Sequence, residues 1–235
     1  MQHMNNKLKN YLIFYLYKIT EHPDMMGMDE HGKGRTESHI NYCEVFEKVT
    51  KPSFQKNLAD LDEIIAFKGE MKSIHDGFKD GFFKIYDMWK SEPCNIMFCG
   101  VDTYCQHPVK IFNEFDKFMM FNHTSPSSAF GFRDYFNCDV RYYPHTMSQE
   151  TWDKALECSD PWKHEWNFEQ VLYNKMLWSQ NIQIQEAHRP DLAFQDVPEG
   201  KNKDLKMSDA KIIHFHGSRQ IRDVIKKVNE LKSNG

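Results

Sequence analysis

The stretch Asn95-Ile96-Met97-Phe98-Cys99-Gly100-Val101-Asp102-Thr103 decides the fold. Four consecutive apolar residues, Ile96 to Cys99, leave both faces of an extended segment apolar, as in a central strand of a covered parallel sheet. Gly100 to Thr103 then stops the strand in a turn. Upstream, Phe78, Phe82, Ile85, Tyr86 and Trp89 recur at helical spacing as far as Pro93. Earlier still, the short runs Tyr11–Tyr17 and Ile64–Phe67 predict strands, and Tyr42, Val45, Phe46 and Val49 predict a helix that ends near Pro52.

Downstream, Pro108–Phe115 predicts a short helix, and Phe118–Phe121 and Val140–Tyr143 predict strands. Helices are expected over Gln149–Glu157 and Asn167–Gln180, then a strand over Lys211–His216. The chain closes on an amphipathic helix carrying Ile221, Val224, Ile225, Val228 and Leu231 on one stripe. Met25–Ser38 and Pro198–Lys206 are polar and predict loops. Strands alternating with helices imply an α/β fold with a mostly parallel sheet flanked by helices.

The chain has 235 residues, enough for one sizeable core without a disulfide or metal staple. Hydrophobic residues make up 40% and aromatic residues 14%, which excludes wholesale disorder. With 30 Lys and Arg against 34 Asp and Glu, the net charge of −4 argues against bulk binding to nucleic acid. Six cysteines lie scattered with no C-x-x-C pair, so reduced, mostly buried thiols are expected. The apolar run Tyr11–Tyr17 is far short of the ~20 residues that span a bilayer, and a soluble, cytoplasmic protein is expected.

In open α/β sheets, ligands sit beyond the carboxyl ends of the strands. Asp102 lies there, where a carboxylate holds a divalent ion bridging a diphosphate; as a bare residue it reads equally as a turn aspartate. His214 and His216 are two apart and share one strand face, with Ile213 and Phe215 on the other. Imidazoles ligate first-row metals, and Gly217 and Ser218 lead into a helix N-terminus that favours an anion, with Arg219 or Arg222 to add charge. Two core histidines ahead of a helix cap is the plainer alternative. On the Asn167–Gln180 helix, Asn167, Gln170 and Asn174 share a polar face beside Glu169 and Tyr173. That face either binds sugar hydroxyls or is simply solvated.

In this order the pieces resemble the GT-A glycosyltransferases, most nearly the glycogenin-like family 8. Phe83-Lys84-Ile85 stands before the strand that ends in Gly100-Val101-Asp102, where that family has Asp-x-Asp. Asn137-Cys138-Asp139-Val140 resembles its Asn-x-Gly-Val segment, Glu169-Gln170-Val171-Leu172-Tyr173-Asn174 its Asp-Gln helix, and His214-Phe215-His216-Gly217 its late His-Phe-x-Gly. Three departures stand out: Gly100 replaces the first Asp, Asp139 replaces a Gly, and the Lys after the late Gly has no counterpart.

The resemblance implies a single GT-A-like domain over residues 1–235, with a nucleotide-binding half near 11–105, an acceptor and sugar half near 106–220, and a C-terminal helix over 221–235. It implies a hexosyl- or pentosyltransferase that moves a sugar from a nucleotide-diphosphate sugar to a glycan or other hydroxyl acceptor, with retention. Mn²⁺ or Mg²⁺ would be held by Asp102 and His214, with His216 in reserve. Tyr17, Lys84, Gly217, Ser218 and Arg219 would line the nucleotide and diphosphate, and Asp139, Glu169 and Gln170 the reacting sugar. A degenerate glycan- or nucleotide-sugar-binding protein and a nucleotidyltransferase are the alternatives. A modified base in DNA stays open as an acceptor, although the charge balance counts against it.

Overall fold

The computed structural model describes residues 8–20, 42–124, 135–157, 168–195, 207–215 and 221–233. The Met25–Ser38 and Pro198–Lys206 segments and the residues His216, Gly217, Ser218 and Arg219 lie outside the described residues, as does the Arg222 side chain.

The apolar segment that ends at Cys99 is strand β3 (Cys94–Cys99), buried at all six positions. It lies in the middle of a five-stranded sheet. On one side it pairs in parallel with β1 (Lys9–Ile19), which pairs in parallel with β2 (Glu63–Met71) at the edge. On the other side come β6 (Tyr135–Tyr143), antiparallel to β3, and then β5 (Met119–Thr124), antiparallel to β6. Every strand of this sheet except β6 therefore runs in one direction, and the expected mostly parallel α/β sheet is present.

Helix α2 (Ile74–Ser91) begins on a capping box, in which Ser73 and Asp76 satisfy each other's backbone N–H groups. It packs against β1 so closely that a Cβ on Gly81 would stand 2.2 Å from the Tyr15 ring. Helices α3 (Gln149–Leu156) and α4 (Phe168–Ser179) follow β6. Trp152 of α3 stacks on Tyr143 at 5.4 Å and 5°, and meets Phe82 of α2 edge-on. That aromatic seam joins helices from distant parts of the chain to one sheet.

Two expectations are corrected. The helix near Tyr42 does not stop at Pro52: a π-helical turn (Phe46–Thr50) runs directly into α1 (Lys51–Asn57). Pro52 follows the π-helical turn and stands at the start of α1. Pro108–Phe115 is not a helix. Val109 instead bridges Leu58 in parallel, and Asn113 takes a left-handed turn at φ 68°. Val109, Ile111 and Phe112 are buried, so the segment's apolar pattern came from lining the core as an extended crossing.

In a second, three-stranded sheet the middle strand falls within the predicted Lys211–His216 strand, whereas the two outer strands have no counterpart in the strand pattern of the sequence. This sheet orders β4 (Thr103–Cys105), β8 (Ile212–His214) and β7 (Ala193–Gln195), with β8 in the middle. Between α4 and β7 lies the one-turn helix α5 (Ile184–Ala187), and the last element is α6 (Ile221–Ser233). Among the described residues no helix is long and apolar enough to cross a membrane. Among the described cysteines, Cys94, Cys99, Cys105 and Cys138 are buried thiols outside any disulfide.

Candidate functional site

The two sheets meet at the turn after β3. Thr103 closes that turn, donating from both its backbone N–H and its hydroxyl to the Gly100 carbonyl, at 3.3 and 2.6 Å. Thr50 holds the same turn from below, donating to the Val101 carbonyl at 2.6 Å. Strand β8 then runs antiparallel to β4, with Thr103 opposite His214, and the Phe215 N–H extends the ladder to the Asp102 carbonyl at 3.0 Å. This pairing carries His214, over a hundred residues away in sequence, to Asp102.

Across the other edge of the turn runs β6. Its register places Cys99 opposite Val140, so Gly100 faces Asp139, and the Gly100 N–H donates to the Asp139 carbonyl at 2.8 Å. Three side chains therefore converge. His214 Nε2 lies 3.5 Å from Asp102 Oδ2 and 3.1 Å from Asp139 Oδ2. The imidazole is 2% exposed, whereas the two carboxylates are 23% and 34% exposed.

Behind Asp139 lies a buried charge that sequence reasoning missed. Arg141 is fully buried on β6. Its guanidinium donates to the Tyr143 hydroxyl at 2.7 Å, the Cys138 carbonyl at 2.6 Å and the Tyr173 hydroxyl at 3.0 Å. It lies over the Phe98 and Tyr173 rings at 3.7 and 3.9 Å. The Glu169 carboxylate of α4 is 3.3 Å from it. Burial pushes Glu169 up to about 7; Arg141 pulls the other way and the nearby charge of Asp139 adds to the rise. In a strand, Arg141 falls on the same face as Asn137, Asp139 and Tyr143, a polar face that reads as solvated, so the local pattern carries no signal of its burial.

Tyr17 and Lys84 form a second cluster. The Tyr17 hydroxyl bonds the Asp80 carboxylate, Lys84 Nζ lies 2.6 Å from the same carboxylate, and the ammonium sits 5.4 Å over the Tyr17 and Phe67 rings. Burial and the Asp80 carboxylate raise the Tyr17 hydroxyl far above its ordinary range, so it stays protonated. Gln170 follows Glu169 on α4, and its carbonyl accepts from the Asn174 amide at 2.8 Å. Asn174 is fully buried and clamps the Phe136 backbone from both sides, so the polar face predicted on this helix is partly a structural lock. The sequence-predicted residues thus divide into Asp102, Asp139 and His214 at the turn, Tyr17 and Lys84 on β1 and α2, and Glu169 beneath Asp139.

Divalent ligands at ~2.1 Å stand about 3.0 Å apart along an octahedral edge, and the two imidazole–carboxylate spacings are close to that. Among the described residues no three His, Cys, Asp or Glu side chains already surround a point as a finished cage. Both carboxylates instead point at the imidazole nitrogen that a cation would take. The donor set of one imidazole and two carboxylates fits Mn²⁺, and a cation would bind by turning Asp102 and Asp139 from His214 onto itself.

No protein-family model matches the chain, and neither does any curated protein sequence. In three dimensions it is similar to the galactosyltransferase LgtC. The structure of LgtC with donor and acceptor sugar analogs superposes with TM-score 0.51 and 9% identity, over 95% of each chain. A structure of an active-site mutant of LgtC gives TM-score 0.49 at 9% identity, over 94% of this chain and 95% of that one. At such identity the likeness is one of fold, and the fold of this chain is a GT-A-like glycosyltransferase fold.

Proposed function

We propose that the protein transfers a sugar from a nucleotide-diphosphate sugar to a hydroxyl acceptor, with retention and with help from Mn²⁺ or Mg²⁺. One observation carries the reading. Asp102, Asp139 and His214 meet at the carboxyl end of the central strand of a sheet whose fold is like that of LgtC. That is where an open α/β sheet takes its ligand, and the donor set suits a cation shared with phosphate oxygens.

Asp102 and His214 would hold the cation. When bound, it supplies positive charge to the departing diphosphate, the largest barrier term in such a transfer. Asp102 and Asp139 are exposed enough to face a donor, while the His214 imidazole is buried behind them. Tyr17 and Lys84 flank the nucleotide side, with the Lys84 charge already shared with Asp80. Gln170 faces the transferred sugar. Glu169 acts as a positioning residue: it partners Arg141, whose bond to the Cys138 carbonyl holds the backbone that carries Asp139.

A thermal-shift panel of nucleotide sugars and nucleoside diphosphates, with and without Mn²⁺, tests the reading. A donor that binds only the folded chain must raise its melting temperature by mass action. The expected result is a shift from at least one nucleotide sugar that grows when Mn²⁺ is added. If nucleoside triphosphates shift the protein and nucleotide sugars do not, the nucleotidyltransferase alternative takes its place.

A further inference from the structure

We infer that Asp139 supplies the cation-binding carboxylate that Gly100 lacks, so that the pair of carboxylates is built across two strands instead of along one. The identity of the cation rests on the glycosyltransferase reading above. The argument starts from register. With Cys99 opposite Val140 in the antiparallel β3–β6 pair, Gly100 and Asp139 are direct cross-strand neighbours, tied by the Gly100 N–H bond to the Asp139 carbonyl at 2.8 Å. As direct neighbours across the strand pair, either position can deliver a carboxylate to one place.

The space around Gly100 says the same. A Cβ added there would stand 2.7 Å from Asp102 Oδ1, 3.5 Å from Asp139 Cβ and 3.6 Å from Asp139 Oδ1. The direction a side chain at position 100 would take is thus already occupied by the two carboxylates. Asp139 also makes the closer approach to the buried imidazole, at 3.1 Å against 3.5 Å for Asp102. The Cys138–Asp139 peptide is fixed at both its ends: the Asp139 N–H donates to Asn137 Oδ1 at 2.8 Å, and Arg141 holds the Cys138 carbonyl at 2.6 Å. The Asp139 carboxylate next to this peptide is 34% exposed, within reach of a cation.

The prediction is that the carboxylate can be moved back. Mn²⁺ is titrated without nucleotide into the wild type, Asp139→Asn and the double variant Gly100→Asp/Asp139→Asn, following the electron paramagnetic resonance signal of free Mn²⁺. Circular dichroism melting of each protein runs alongside. Asp139→Asn is expected to weaken Mn²⁺ binding at least about tenfold, and the double variant to recover to within roughly threefold of wild type. Should Asp139→Asn not fold, Asp139→Ser, which is smaller and also neutral, takes its place in both proteins.

Wild-type-like Mn²⁺ affinity in the single variant, no recovery in a folded double variant, or no Mn²⁺ binding by the wild type would each overturn the inference. The glycosyltransferase reading fails separately. If Mn²⁺ affinity follows the carboxylate while no nucleotide sugar binds, the inference stands and that reading falls.

Discussion

Two groups of charge sit side by side along one face of β6, and they differ in what surrounds them. Asp139, with Asp102 and His214, lies at the end of the sheet with its carboxylates partly in water. Arg141, two residues on, is sealed under Tyr143, Tyr173 and Phe98 with Glu169 as its countercharge. A charge in water can exchange its partners for a ligand at little cost. A charge out of water cannot, because losing one partner strands the other in a low-dielectric site. The outer group is therefore suited to binding and the inner one to holding the outer in place.

The largest expected effect lies in the inner group. Arg141→Met leaves Glu169 and the Tyr143, Tyr173 and Tyr15 hydroxyls without their donor, and should cost ~3–5 kcal/mol of stability in urea unfolding. A loss below about 1 kcal/mol would mean that the buried pair does not hold this region together.

In the outer group, Asp102→Asn should leave the melting temperature within a few degrees of wild type. It should weaken Mn²⁺-dependent binding of the nucleotide sugar by about tenfold or more, close to 1.4 kcal/mol. Equal losses of stability and binding would erase the distinction between the two groups.

A pH titration sharpens the contrast. The Glu169 carboxyl ionises near its ordinary 4.5 when unfolded and near 7 in the fold. Between those values the unfolded chain gives up a proton that the fold keeps, so stability falls as pH rises through that window and levels off above it. Glu169→Gln should remove this fall, which unfolding midpoints taken from pH 4.5 to 7.5 would read. The smallest effect is expected at Lys84, whose ion pair with Asp80 is partly in solvent. Lys84→Met should change stability by less than about 1 kcal/mol and act mainly through salt-dependent donor binding.

The same division separates what the residue pattern revealed from what it hid. β3 was plain because an apolar run on both faces has few other uses; Asp102 followed from its place after that strand and His214 from its place in the Lys211–His216 strand. The second sheet was only partly legible: β8 lies within the predicted Lys211–His216 strand, but β4 and β7 have three residues each, too short for alternation to register. Pro108–Phe115 has apolar residues at spacings that suit a helix, but burial of an extended crossing produces the same pattern. Asp139 was assigned to the sugar side by its neighbours in sequence; its closeness to His214 depends on a strand register that no local pattern encodes. Arg141 was passed over because a lone arginine in a strand looks like a surface residue until both neighbouring faces are known to be covered.

The most direct test of the account is slow hydrolysis of the donor in the absence of acceptor. Wild-type protein is incubated with the nucleotide sugar that gives the largest thermal shift, with and without Mn²⁺, and free sugar and nucleoside diphosphate are measured together. The account predicts that both appear in equal amounts, that Mn²⁺ accelerates their release, and that Asp102→Asn abolishes the acceleration while still folding. Binding of the same donor with no release of sugar under any condition, or release that ignores both Mn²⁺ and Asp102, would contradict it.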